Sequence, residues 1–430
     1  MSSDLIPIAE LDEIRHIGDP TIPAQEDLGD TFKKTQDKSF LGFRPGWPSQ
    51  DVSDFPTEIE IDKEKLALAC DLFSRYGTEI AGALLMAALP HAYAAQWGSR
   101  VLTATAQLQT DFRRRIVRTS QFVLMVTRAP QGDETFEHLW RPDKAGLRSA
   151  FRPEQMPPWR ACLVVRQFHE SVRREIAADK RLQESVGPEN ATPLNQEDLL
   201  ATLLSFTITV FEVLERYGIT WTADQQEAYM HLWDLVGEWL GIGTADVRPK
   251  LPQVLSRKVE DEQWIGLRPP TIAETRRLFD QLRKRQWREP EAIAPLPETN
   301  GSEKTDCEPG RVLVRALLNE LAVGMPRGTR GLPLTVMRQL APPVVRDRLS
   351  LGGGGIVMSL LDQLPKRRVL GERFTASSAP NRLSGAVVRS MANEVTRRAI
   401  LRFIRTEHLF IPGLNVWSEG LRDPMEVGIA

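Results

Sequence analysis

Apolar residues recur three and four positions apart through most of the chain, whereas strict alternation is rare, and this spacing predicts an all-α protein built as a multi-helix bundle. Between Glu64 and Arg128 the pattern is carried by KLALACDLFSRYG, IAGALLMAALPHAYAAQW and DFRRRIVRTSQFVLMVTR, with Pro90 placed to break or kink the second. Further helices are expected over 159–180, 195–217, 222–241 and 271–286. Asn195 is a suitable cap for one of them, with Asp198 at the third helical position reaching back in the manner of a capping box. The uncharged run from Leu199 to Phe211 falls short of the roughly 20 residues needed to span a bilayer and reads as a buried central helix. Helical patterns resume late in the chain at RVLVRALLNELAVG, LPLTVMRQLAPPVVRDRL and SGAVVRSMANEVTRRAILRFI.

Breaks in the pattern divide the chain. Residues 1–60, interrupted by Pro20, Pro23, Pro45, Pro48 and Pro56, suit a wrapping arm, and residues 61–285 form the helical core. Residues 286–311, rich in proline, glycine and charge, read as a flexible linker or loop, and 312–430 as a C-terminal helical part that packs back on the core. The run Gly352 to Gly355 lacks the lysine, serine and glycine spacing of a phosphate loop and is read as a flexible loop.

Composition removes whole classes of function. At 430 residues and 48.5 kDa there is ample material for a core, and a net charge of −2 provides no basic field for nucleic acid or anionic lipid. Three scattered cysteines, Cys70, Cys162 and Cys307, give neither a disulfide framework nor a paired metal motif. The amino terminus mixes charges without an apolar core, so no secretory signal is read, and a cytoplasmic protein without a transmembrane segment is expected. HExxH, GxSxG and Walker sequences are absent.

Two constellations remain. In RACLVVRQFHESVRREIA, His169 lies beside the stripe of Val165, Phe168, Val172 and Ile176, with Arg166 one turn before it and Arg173 one turn after. Imidazole is a common haem-iron ligand and guanidinium suits propionate, so this set fits a haem site; the same pattern also describes a hydrogen-bonded core histidine between two solvated arginines. In DFRRRIVRTSQFVLMV, Phe112, Ile116, Val123 and Val126 define a buried face that also carries Arg115 and Thr119. A guanidinium there needs a carboxylate, a propionate or a polar cavity, because burying it alone costs several kcal/mol. Trp221, Trp233 and Trp239 suit either an apolar tunnel or ordinary core packing.

Taken in order, Arg115 with Thr119, RQFHESVR around His169 and LNQEDLLATLLSFT from Leu194 to Thr207 resemble the latex clearing proteins and MpaB-type oxygenases. The resemblance covers roughly residues 60–245, with NQEDLLxTLLxF its most specific part. It implies a globin-like helical core holding haem b, with His169 as the proximal iron ligand, Arg166 and Arg173 supporting the haem or its helix, and Arg115 and Thr119 near bound dioxygen. The implied activity is oxygenation or cleavage of a carbon–carbon double bond in an apolar small molecule. Peroxidase-like chemistry and a non-catalytic helical binding protein are the alternatives. Two departures bear on the substrate. Arg118 stands where some rubber-cleaving members carry a lysine, and no carboxylate occurs between Glu79 and Asp111, where those enzymes carry a glutamate base. His91 is the strong polar candidate in that stretch, and a smaller isoprenoid or other unsaturated lipid-like substrate is expected instead of rubber.

Overall fold

The computed structural model describes residues 4–19, 58–104, 112–142, 156–187, 192–261, 263–287, 308–352 and 385–407. Among them there is no β-strand, only an isolated bridge between Ile265 and Arg268. The helices are α1 (Ile8–Ile14), α2 (Lys63–Ala83), α3 (Leu89–Ala94), α4 (Gln96–Ala104), α5 (Phe112–Val126), α6 (Phe136–Trp140), α7 (Pro158–Ala178), α8 (Lys180–Val186), α9 (Gln196–Arg216), α10 (Ala223–Trp239), α11 (Gln253–Asp261), α12 (Ile272–Gln286), α13 (Pro309–Ala322), α14 (Leu332–Leu340), α15 (Pro343–Arg348) and α16 (Gly385–Glu407). The all-α expectation therefore holds. Most of the linker read from the sequence, the four-glycine run beyond Gly352, Cys307 and His408 lie outside the described residues. The linker's two borders are folded: Trp287 is buried behind α12, and Pro309 to Arg311 open α13.

The uncharged run from Leu199 to Phe211 falls inside α9, which is buried on almost every face and packs against α2, α10, α12 and the start of α3. Its N-terminus is capped as the sequence indicates, Asn195 Oδ1 accepting from the Asp198 amide at 3.0 Å. Asp198 does not complete a capping box. Its carboxylate instead accepts from the Asn195 side-chain amide (3.0 Å) and from Arg15 (3.2 Å), so the arm enters the core at this helix start. Glu197, fully buried beside it, is held by Arg285 and Gln286 of α12.

Pro90 does not break its helix. Leu84–Ala88 winds as a π-turn, with the Leu89 amide donating to the Leu84 carbonyl. A proline without an N–H removes one α-helical bond at this point, and the wider turn absorbs the irregularity while rotating α3 relative to α2. Gly310 lets α13 close on α3: a Cβ there would lie 2.2 Å from the Tyr93 carbonyl oxygen. The C-terminal helix α16 packs along α2, where Arg389 and Asn393 donate to Glu79. Glu79, the last carboxylate before the polar-poor stretch, is thereby a structural anchor whose partners hold its carboxyl below the usual range against the opposing effect of burial.

The three tryptophans considered for a tunnel are core residues. Trp233 packs on Phe206, Trp221 on Phe211 and Tyr229, and Trp239 on Trp159 while donating to the Trp140 carbonyl at 3.1 Å. Among the described residues the buried apolar core falls into two clusters. The first half of α7, from Trp159 to Leu163, belongs to the main cluster, whereas Val172 and Ile176 join Val101 of α4 and Val186 of α8 in a small separate one. Arg166, His169 and Arg173 lie where the two clusters part.

Candidate functional site

Helix α7 begins with Pro158 at its first turn, where a missing N–H costs nothing, and runs against α5. His169 sits past its middle, partly accessible yet closely surrounded by protein. Its Nδ1 is buried without a hydrogen-bond partner among the described residues. Burial, reinforced by the Arg173 and Arg115 charges and opposed by Asp19, lowers the imidazole pKa to about 3, so the ring is neutral across the ordinary pH range. Neutral imidazole is the form that binds a metal.

Arg166 is firmly engaged. Its Nε donates to Asp19, its Nη2 donates to the other Asp19 oxygen at 2.7 Å, and Asp246 lies 3.8 Å away. Gly241, at φ +79°, makes this possible, because a Cβ there would meet the guanidinium at 2.7 Å. Arg166 thus fixes α7 to the arm and to the loop after α10. Arg173 is only partly engaged: Nε donates to Glu170 (2.9 Å) and Nη1 to the carbonyl of Leu194 (2.9 Å), which stands at φ +53° just before the α9 cap, while Nη2 is buried without a partner. Asp19, which no spacing rule could tie to α7, is the charged neighbour that sequence reasoning missed. Its distance in sequence, 147 positions from Arg166, explains why.

Across from α7, helix α5 buries Phe112, Ile116, Val123 and Val126 as its periodicity indicates. Arg115 and Thr119 share the inner arc, partly accessible. The Arg115 charge is close enough to act on His169, and its Nη1 is buried without a partner. Burial lowers the Arg115 pKa, opposed by Tyr93. Thr119 makes no hydrogen bond among the described residues.

His91 lies elsewhere. It is buried, with Nδ1 3.4 Å from the Thr209 hydroxyl, its carbonyl accepting from Trp287 Nε1 at 3.1 Å, and its ring edge-on to Trp287. Its contacts are thus with α9 and the end of α12, and burial together with the charges of Arg283 and Arg216 keeps it neutral. The structure brings Arg115 to the His169 site and does not bring His91 there.

The donor set fits a haem. Among the described residues no three His, Cys, Asp or Glu side chains converge, so His169 offers a single protein ligand, as suits an iron held otherwise by a porphyrin. The orphaned Arg173 Nη2 is a donor suited to a propionate, and beside the parted core His169 Nδ1 and Arg115 Nη1 have no partner among the described residues. No helix among the described residues is long and apolar enough to cross a membrane.

Known proteins resemble this chain in fold and in sequence family. A likeness to the structure of latex clearing protein LCP in the closed state extends over 92% of this chain and 85% of that one, with a TM-score of 0.50 and 16% identity, which establishes a common fold. No curated protein matches the sequence. The family model described as ER-bound oxygenase mpaB/B'/rubber oxygenase, catalytic domain, matches residues 76–372, a span that contains both α5 and α7. By that match the chain belongs to the MpaB and rubber oxygenase family.

Proposed function

We propose that the protein is a haem b-dependent oxygenase that cleaves or oxygenates a carbon–carbon double bond in an apolar, isoprenoid-type small molecule, with dioxygen as co-substrate. The observation that carries this reading is the pairing of a neutral His169 on α7 with Arg115 on the facing α5, His169 Nδ1 and Arg115 Nη1 both being buried without a partner among the described residues. His169 would hold the iron and Arg173 a propionate. Arg166 acts one step removed, fixing α7 through Asp19. When bound, the haem supplies the redox chemistry that activates dioxygen.

The chain's own residues set the electrostatics. Arg115 carries a cationic guanidinium into the site, and Thr119 adds a hydroxyl one turn further along α5. Donors fixed in advance at low dielectric stabilise negative charge on oxygen as it develops and require no reorganisation. The apolar flank of α5, Phe112 and Ile116, suits a hydrocarbon substrate.

The test is an absorption spectrum of protein expressed with a haem precursor, before and after dithionite, beside His169→Ala. A Soret band that responds to reduction and disappears in the variant supports the reading. A colourless, correctly folded protein overturns it. With unsaturated isoprenoids under labelled dioxygen, label in both cleavage ends identifies a dioxygenase, whereas turnover that requires peroxide identifies peroxidase-like chemistry.

A further inference from the structure

We infer that Tyr93 is a third polar group of the oxygen site: seated against Phe112 on the face of α5 that carries Arg115, its phenol supplies a neutral hydrogen-bond donor beside that guanidinium. The inference rests on the oxygenase reading above and assigns a donor where the chain lacks a carboxylate.

Four observations place it. Tyr93 is 1% exposed, and its ring centroid is 6.4 Å from that of Phe112. Phe112 and Arg115 are three positions apart on α5 and so occupy one face of it. The Tyr93 hydroxyl makes no hydrogen bond among the described residues and so is available to a ligand. Its position is also fixed from two sides. The π-turn Leu84–Ala88 sets the rotation of α3, and Gly310 allows α13 to press on the Tyr93 backbone. His91 and Tyr93 are two residues apart and so point to opposite sides of α3: His91 meets Trp287 and Thr209, and Tyr93 meets α5.

The chemistry follows from the placement. Burial raises the phenol pKa, so the hydroxyl keeps its proton, while the mutual influence of Tyr93 and Arg115 shows that their polar ends are near one another. A guanidinium and a phenol side by side form a donor pair for an oxygen-centred or small linear anion. The phenol contributes a hydrogen bond only, and no bond to it is made or broken.

The experiment compares the wild type with Tyr93→Phe, which deletes the oxygen and keeps the ring, and with Tyr217→Phe as a control, whose buried hydroxyl lies beside Glu79 and has no partner among the described residues. In haem-loaded protein, Tyr93→Phe leaves the Soret band in place, shifts the C–O stretch of the ferrous carbonyl complex upward and weakens azide binding to the ferric form roughly five- to tenfold, the loss of about one hydrogen bond. Tyr217→Phe changes neither. A Tyr93→Phe protein with an intact Soret band and unchanged C–O stretch and azide affinity overturns the inference while leaving the oxygenase reading standing. Should the wild type take up no haem, the oxygenase reading fails by itself, and fluorine NMR of 3-fluorotyrosine protein decides the inference. With four tyrosines in the chain, the Tyr93 resonance is assigned by its loss in Tyr93→Phe. Movement of that resonance in Arg115→Leu and on adding azide sustains the donor pair, and a resonance unmoved by either overturns it.

Discussion

Helices α7 and α9 are each 21 residues long and both cross the interior, yet they treat their polar side chains in opposite ways. Along α9, Gln196, Glu197, Asp198, Ser205, Thr207 and Thr209 are all buried, and none leaves a buried side-chain polar atom without a partner. Along α7, Gln167 Oε1, His169 Nδ1 and Arg173 Nη2 are buried and unsatisfied, and the hydrophobic core parts at the same place. Unsatisfied buried groups are expensive, and several of them beside a break in the core mark a place that a ligand would complete. The contrast separates a helix that holds the fold from one that serves chemistry.

His169→Ala provides the harshest test of that contrast. We expect complete loss of the Soret band with little change in the urea midpoint of haem-free protein, because the imidazole has no hydrogen-bond partner to lose. A large loss of stability would make His169 a structural residue and erase the distinction. Asp198→Ala on α9 should do the reverse. It removes the carboxylate 3.2 Å from buried Arg15 and leaves Glu197 at 3.8 Å, and about 3 kcal/mol of stability should disappear in denaturant titration, the lower end for breaking a buried pair. Haem affinity per folded molecule should be unaffected.

Arg115→Leu sharpens the comparison from the facing helix. Removing a charge-assisted donor of about 1.5–3 kcal/mol weakens azide binding to the ferric protein by roughly 10- to 100-fold. Because this guanidinium has no carboxylate partner, folding stability should stay level or rise. A destabilised Arg115→Leu would mean that the residue supports α5 instead of a ligand.

The smallest expected effect concerns an unpartnered atom of another kind, Glu238 Oε2 on α10. Its other oxygen accepts from the amides of Glu58 and of Ile59 (3.1 Å), clasping the chain where the arm meets the core. Burial, with a further push from the Glu58 charge and against the two amide hydrogen bonds, raises its pKa to about 7. The folded state therefore binds a proton that the unfolded state releases, so this contribution is full below the ordinary carboxylate range and is lost as pH rises through about 7. Urea midpoints of the wild type should fall over that window relative to Glu238→Gln. Parallel curves would assign the raised pKa no role in holding the arm.

Much of the site was legible because it is local. The 3.6-residue period places Phe112, Arg115, Ile116 and Thr119 on one arc and sets His169 beside Val172 and Ile176, and no tertiary contact is needed to read either. The same logic located α9 and its Asn195 cap. His91 and Tyr93 mark the limit. Both are buried polar residues on one short helix, and only the rotation imposed by the π-turn directs Tyr93 rather than His91 toward α5.

By itself, then, the sequence determined the helices, their inward faces and the polar residues lying on them, since backbone hydrogen bonding and side-chain periodicity are properties of neighbouring residues. The tertiary structure decided which polar groups are answered and which are left open. It paired Arg166 with Asp19 of the arm and Glu79 with α16, and it left one nitrogen each of Arg115, His169 and Arg173 without a partner among the described residues. Those outcomes depend on how helices are rotated and brought together across long stretches of chain, and the period of a single helix carries no information about either.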